Sequence, residues 1–188
     1  MRAGDTVAVF GCGPIGLTAL RAARAAGAKE VFVSEPNDSR REVAHRLEAD
    51  VALDPTTDDV VETITDATEG GVHAAFAFAG IGPAFNAAVQ STRRGGTITV
   101  GSLSEDEIST NLDDIVLNER TITGTFCYGF PPSSFRTEFD AVIDALADGT
   151  VDTNAFVTGR IPLEDIVDEG YEALLDSDTE HVKILVEP

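Results

Sequence analysis

Six residues near the start of the chain have the types and spacing to hold a diphosphate. Gly11-Cys12-Gly13-Pro14-Ile15-Gly16 is a G-x-G-x-x-G run that follows the β-branched stretch Thr6-Val7-Ala8-Val9-Phe10 and opens a helical pattern. In such a turn the first glycine permits the tight bend, Gly13 lets the backbone approach a pyrophosphate, and Gly16 lets the helix lie close to a sheet. The first helical turn, with Pro14 and Ile15, then offers free amides and a favourable dipole to the phosphate charge. The run is answered, about 20 residues further on, by an acid at the end of a second strand, Glu35, which is the context that gives a glycine triplet meaning. Glu35 is expected to accept hydrogen bonds from ribose hydroxyls and to repel a 2′-phosphate, which predicts NAD over NADP. Arg40 and Arg41 leave three readings open: neutralising a 2′-phosphate, stacking flat on adenine, or sitting as surface arginines on a helix.

Three other segments fall at strand ends from which backbone groups can reach the nicotinamide ribose and carboxamide: Phe78-Ala79-Gly80, Val100-Gly101-Ser102 and Thr125-Phe126-Cys127. Phe78, Ala79, Gly101, Ser102 and Phe126 are therefore candidate cofactor contacts. No catalytic residue is assigned. His45 and His73 read as structural and His181 as surface-exposed, and none stands beside a plausible nucleophile or base. Cys12 and Cys127, the only thiols, are too few for a structural zinc site. In the fold argued next they sit on strands three inter-strand steps apart, about 4.8 Å each, beyond disulfide reach, so both are expected to be reduced.

The elements that must carry these residues alternate in the manner of βαβ units, which predicts an α/β Rossmann fold with a doubly wound, six-stranded parallel sheet. The strands are predicted at Thr6–Phe10, Glu30–Ser34, Val51–Leu53, Ala74–Phe78, Thr97–Gly101 and Thr121–Phe126. The first helix runs from Pro14 to Ala26 with Ile15, Leu20 and Ala23 available for one face, and Gly27 ends it in the left-handed region. A second, capped by Asn37 or Asp38, runs to about Leu47. A third, from about Asp58 to Ala67, puts Val60, Val61 and Ile64 inward. Pro83 starts a fourth carrying Phe85, Ala88 and Val89, after which Gly95-Gly96 turns the chain into the fifth strand. Leu103 to Arg120 reads as a polar, acidic loop region. A helix after Pro132 sets Phe135, Phe139, Val142, Ile143 and Leu146 on one stripe and stops at Gly149. From about Ala155 the pattern changes to a short strand near Val157–Ile161, a helix from Leu163 to Leu175 and a last strand at Val182–Val186.

Composition narrows the function classes. With 188 residues, 43% of them hydrophobic, the chain can bury one good core and hardly two. Its 33 acids against 13 bases leave a net charge of −20, so phosphate-rich partners are repelled: neither nucleic acid nor an anionic membrane surface is expected. The acids are dispersed rather than blocked, and only Lys29 and Lys183 are lysines, a composition that resembles proteins of halophilic archaea. No signal peptide and no apolar run of about 20 residues is present, which predicts a soluble, cytoplasmic protein.

The sequence as a whole resembles the zinc-dependent medium-chain alcohol and polyol dehydrogenases, most closely their butanediol-dehydrogenase-like branch. The likeness is carried by Val9–Leu17, Val33-Ser34-Glu35-Pro36 with Arg40-Arg41, Ala49-Asp50-Val51 leading to Leu53-Asp54-Pro55, Gly95-Gly96-Thr97, Gly159–Leu163 and His181–Val186. It implies NAD(H) as cofactor and, in a full enzyme, hydride transfer between a small secondary alcohol or polyol and NAD. It also implies that the zinc ligands and proton relay belong to a GroES-like domain outside this chain. Residues 1–155 would then be the cofactor domain and 156–188 an appendage packing on that domain, with Met1 starting a fragment or a naturally shortened product. This chain alone is expected to bind cofactor and not turn over, with no zinc of its own. The family often carries an acid where Ala77 stands, and it pairs subunits through the sixth-strand edge, making Thr121 to Phe126 a homodimer seam. A different class of protein, a stand-alone NAD-sensing module without catalysis, is the alternative. A methyltransferase fits less well, because no acid precedes Gly11 at the end of the first strand.

Overall fold

A computed structural model describes residues 1–104, 106–126, 138–149, 151, 153–176 and 178–188. Strand β1 (Thr6–Phe10) is buried along its whole length and pairs in parallel with β2 (Glu30–Ser34) on one side and β4 (Val72–Ala77) on the other. With β3 (Val51–Leu53), β5 (Thr92–Val100) and β6 (Thr121–Gly124) these complete a six-stranded parallel sheet of order β3-β2-β1-β4-β5-β6. Period-2 alternation divides β1 between two cores. Val7 and Val9 join Leu17, Leu20, Val31, Val33 and Val43 on one face, while Ala8 and Phe10 join Phe32, Ile64, Ala75, Val89 and Ile98 on the other. Helices α1 (Pro14–Ala25) and α2 (Asp38–Arg46) cover the first face, and α3 (Val60–Ala67) and α4 (Gly82–Gln90) the second, so the predicted doubly wound Rossmann fold is the one observed.

Helix α1 begins with Pro14 as its first residue and ends before Gly27, whose φ is +86°. Its buried stripe is Gly16, Leu17, Leu20 and Ala23, and Ile15 is 62% exposed, against the expectation that Ile15 would face inward. At about 100° per residue Ile15 lies about 140° around the helix from Leu20, so the two cannot share a face. Asn37 caps α2 by accepting the Arg40 N–H, and Asp59 caps α3 by accepting the Glu62 N–H. The latter cap delays α3 to Val60, and Val61 is only half-buried. Strand β4 begins two residues earlier than expected and leaves Phe78 outside it.

Strand β5 also begins early, at Thr92. Its register with β4 breaks between Val72↔Thr92 and Ala74↔Thr97, so the Gly95-Gly96 turn forms a bulge within the strand, with Gly95 at φ +70°. The segment predicted as a polar loop contains a short helix, α5 (Leu112–Val116), capped by Asn111. Arg120 closes that segment, donating to the carbonyls of Thr92 (2.6 Å), Asp114 (2.8 Å) and Gln90 (3.2 Å). Strand β6 stops at Gly124, two residues short of the expected end, and all four of its residues are exposed. Helix α6 (Glu138–Ala147) carries the predicted stripe, but Phe139, Val142, Ile143 and Leu146 are exposed rather than core. Its predicted start at Pro132 and Phe135, like Cys127, lies outside the described residues.

The tail forms a separate two-stranded parallel sheet of β7 (Val157–Pro162) and β8 (Lys183–Glu187). The connection predicted as one helix is a 3-10 turn (Leu163–Asp165), a π-helical stretch (Ile166–Glu172) and a single α turn, α7 (Ala173–Leu175). Within it Gly170 is buried close to Ile161, where an added Cβ would lie 3.2 Å from the Ile161 Cδ1 atom. Phe156 and Val182, both past residue 155, are buried in the same core as Leu17, Leu20 and Val43. Among the described residues no helix is long and apolar enough to cross a membrane.

Candidate cofactor site

The glycine turn sits where β1 ends and α1 begins. Gly11 has φ +98°, and a Cβ there would lie 3.0 Å from the Ala79 amide nitrogen, so both conformation and space require glycine. A Cβ on Gly16 would lie 1.8 Å from the Gly11 carbonyl oxygen, which is how closely the turn and the helix approach. A Cβ on Gly13 would meet nothing within 4 Å, leaving the space above this peptide open to a ligand. Gly13 caps α1 without a side-chain hydrogen bond, and the first helical bond runs from the Leu17 N–H to the Gly13 carbonyl (3.0 Å). The Ile15 and Gly16 amides therefore remain as donors that the helix itself does not use.

Glu35 follows β2 and is 4% exposed. Its Oε2 accepts the Cys12 N–H at 2.7 Å, and its Oε1 accepts the Asn37 N–H at 3.1 Å with the Arg40 guanidinium 4.0 Å away. The two arginines separate by role. Arg41 donates to the Glu35 and Pro36 carbonyls, both at 2.6 Å, and pairs with Asp38 and Asp54, so it holds the β2–α2 turn. Arg40 lines the cleft, and its Nε is buried with no hydrogen-bond partner. A buried donor of this kind costs free energy until something accepts from it. Cys12 packs into the core beneath the turn, and burial, followed by the Glu35 charge, pushes its thiol well above the ordinary range.

Gly11, Gly13, Glu35 and Arg40 face a cleft of about 780 Å³ across the carboxyl ends of β1, β2, β3 and β4. Of the residues singled out from sequence, Gly11, Gly13, Glu35, Arg40, Phe78 and Ala79 line it. Pro14, Ile15 and Gly16 form the head of α1 beside it. Gly101 provides room for Phe78: a Cβ there would be 2.5 Å from the Phe78 ring, which stacks on Phe76 at 6.0 Å between centroids. The Gly101 N–H and the Ser102 hydroxyl both reach the carbonyl of Ala77. Ser102 opens on a separate small cavity with Ala79 and Ala84, and Phe126 is 76% exposed. His181, expected at the surface, is half-buried with its Nδ1 3.3 Å from the Thr158 hydroxyl, because Gly159 lets the chain pass close to its ring. His73 accepts the Thr6 N–H and lies at the opposite end of the sheet from the cleft.

Sequence reasoning missed the far wall of the cleft: Pro36, Pro55, Thr56, Val60, Ile81 and Ala84. The available signal was Asp54-Pro55-Thr56 at the carboxyl end of β3. The Asp54 carboxylate accepts the Thr56 hydroxyl (2.6 Å) and amide (2.9 Å), and these bonds, aided by Arg41, hold its carboxyl below the usual range. Among the described residues no three His, Cys, Asp or Glu side chains are grouped to hold a metal.

A six-stranded sheet in this order, with a glycine turn and a buried acid at the ends of its central strands, defines a Rossmann-type nucleotide-binding domain. The chain belongs to the zinc-binding dehydrogenase family, whose model matches residues 14–148. It is 39% identical over 189 residues to the (R,R)-butanediol dehydrogenase of Bacillus subtilis strain 168, an alignment covering all of this chain and 52% of the relative. The crystal structure of 2R,3R-butanediol dehydrogenase from Bacillus subtilis superimposes with a TM-score of 0.87 at 37% identity, over 100% of this chain and 52% of that one. A Sinorhizobium meliloti 1021 protein assigned as a zinc-binding dehydrogenase and bound to NADP superimposes at 0.86 with 29% identity, over 100% and 53%. The chain spans about half the length of the curated relatives it matches.

Proposed function

We propose that this chain is the NAD(H)-binding portion of an alcohol or polyol dehydrogenase that moves a hydride between a small secondary alcohol and NAD. The observation that carries the reading is the buried Glu35 carboxylate, set at the rim of an open cleft beside the unobstructed Gly13. The α1 amides of Ile15 and Gly16 receive the diphosphate. Each Glu35 oxygen keeps a lone pair beyond its backbone bond, enough to accept a ribose hydroxyl, while the negative charge opposes a 2′-phosphate. Arg40 lies against the adenosine. Phe78 and Ala79 lead the cofactor toward the ends of β4 and β5, with Gly101, Ser102 and Phe126 as contacts on the nicotinamide side. The bound nicotinamide supplies the hydride chemistry, and this chain's residues bind and orient it.

In this reading the zinc and the proton relay belong to a GroES-like catalytic domain, against which the outer face of residues 156–188 packs, and this chain alone binds cofactor without turning over. The similarity to butanediol dehydrogenase favours a small diol as substrate of the whole enzyme. The functional protein is a dimer joined along β6. Calorimetric titration at molar salt tests the cofactor assignment. NADH is expected to bind at least about tenfold more tightly than NADPH, the scale of one charge-assisted contact. Equal or tighter NADPH binding would reassign Glu35.

A further inference from the structure

Glu35 does more than face the cleft: it joins two turns. Its side chain is nearly sealed from solvent, and a buried carboxylate is costly unless it is hydrogen-bonded. The two bonds that satisfy it come from backbone amides of two different turns, Cys12 in the glycine turn and Asn37 at the head of α2. The Gly11–Cys12 peptide is planar, so its N–H and C=O point in opposite directions. The N–H ends on Glu35, and the C=O ends against Gly16, close enough that no Cβ could stand between them. Gly11 itself donates to the Ser34 carbonyl at 2.9 Å. A flip of the Gly11–Cys12 peptide, which glycine's conformational freedom would otherwise permit, would aim a carbonyl oxygen at a carboxylate.

We infer that Glu35 is a positioning residue for the phosphate-binding turn: its carboxylate selects the orientation of the Gly11–Cys12 peptide and so presents the Gly13–Gly16 backbone to a diphosphate, in addition to reading the ribose. This rests on the cleft being a dinucleotide site, but the brace itself is a property of the free protein. Hydrogen exchange of the unliganded full chain, followed by NMR at molar salt, examines it directly. In Glu35→Ala the Cys12 amide is expected to lose protection by at least about tenfold, while the β1 amides of Val7 and Val9 keep theirs. If that variant unfolds, Glu35→Gln replaces it: the amide presents one acceptor oxygen, so protection falls at Cys12 or at Asn37. Titration with ADP and 2′,3′-dideoxy-ADP separates the two roles. A brace makes Glu35→Ala weaken both ligands by about fivefold or more, whereas a residue that only reads the ribose leaves the dideoxy ligand unaffected. Unchanged protection at Cys12 and Asn37, or unchanged dideoxy-ADP affinity, overturns the brace. Failure of the wild-type chain to bind either ligand would instead remove the dinucleotide assignment, and the exchange measurement would still decide the brace.

Discussion

Gly13 and Gly16 differ in what a methyl group would meet, and that difference separates folding from binding at the level of single residues. An added Cβ stands in open space at Gly13 and 1.8 Å from a carbonyl oxygen at Gly16. Gly13 also has φ −68°, a conformation open to any residue. Gly13→Ala is therefore expected to leave denaturant stability within about 0.5 kcal/mol of the wild type. It should nevertheless weaken NADH at least about tenfold, because the methyl group occupies the space a diphosphate needs. Gly16→Ala is expected to cost about 1–3 kcal/mol of stability, since the turn and the helix must part. Urea titrations with and without NADH measure both. A Gly13→Ala chain that binds NADH normally would place the diphosphate elsewhere.

Among the elements, β6 is the edge of the sheet beyond β5, short and exposed on all four residues. An exposed edge offers unpaired backbone groups to another chain, and two copies of the same edge can meet across a two-fold axis. The proposed dimer is expected to run as twice the chain mass in light scattering at micromolar concentration and molar salt. A species of monomer mass throughout would exclude β6 as the seam. Arg120 holds the approach to this edge by bridging the end of α4, the start of β5 and α5, a staple that no sequence pattern announces because its three acceptors are all backbone carbonyls.

At the scale of the molecule, the question is whether the tail is an appendage or part of the core. Phe156 is 9% exposed and shares a cluster with Val9, Leu17 and Val43, so removing its ring opens the α1–α2 face of the sheet. Phe156→Ala is expected to cost about 3–5 kcal/mol, a large share of the 5–15 kcal/mol that about describes a whole domain. Sheet and tail should then unfold together at a lower urea midpoint. An unchanged sheet transition would mean that Phe156 contributes nothing to the cofactor domain. The experiment belongs in molar salt, where the −20 charge is screened.

The chemistry at the ends of β1 and β2 was legible because local rules suffice there. A tight turn needs glycine at fixed positions, a helix head binds anions whatever surrounds it, and buried parallel strands such as Thr6–Phe10 and Glu30–Ser34 read as short apolar runs. The family likeness, carried by runs spread from Val9 to Val186, was legible for the same reason. Tertiary structure decided what depends on contacts between distant residues: that Arg40 faces the cleft while Arg41 is spent on carbonyls and acids, that Gly101 makes room for Phe78, and that Pro55 and Thr56 form the opposite wall. It also decided that Phe156 closes the core and that the Glu35 carboxylate grips the turn it was expected only to face across the ribose. Sequence alone determined the glycine turn, the helix head and the acid that answers them, since these reside in local backbone form. Which of them are free to bind a dinucleotide follows from hydrogen bonds and packing that only the folded chain brings together.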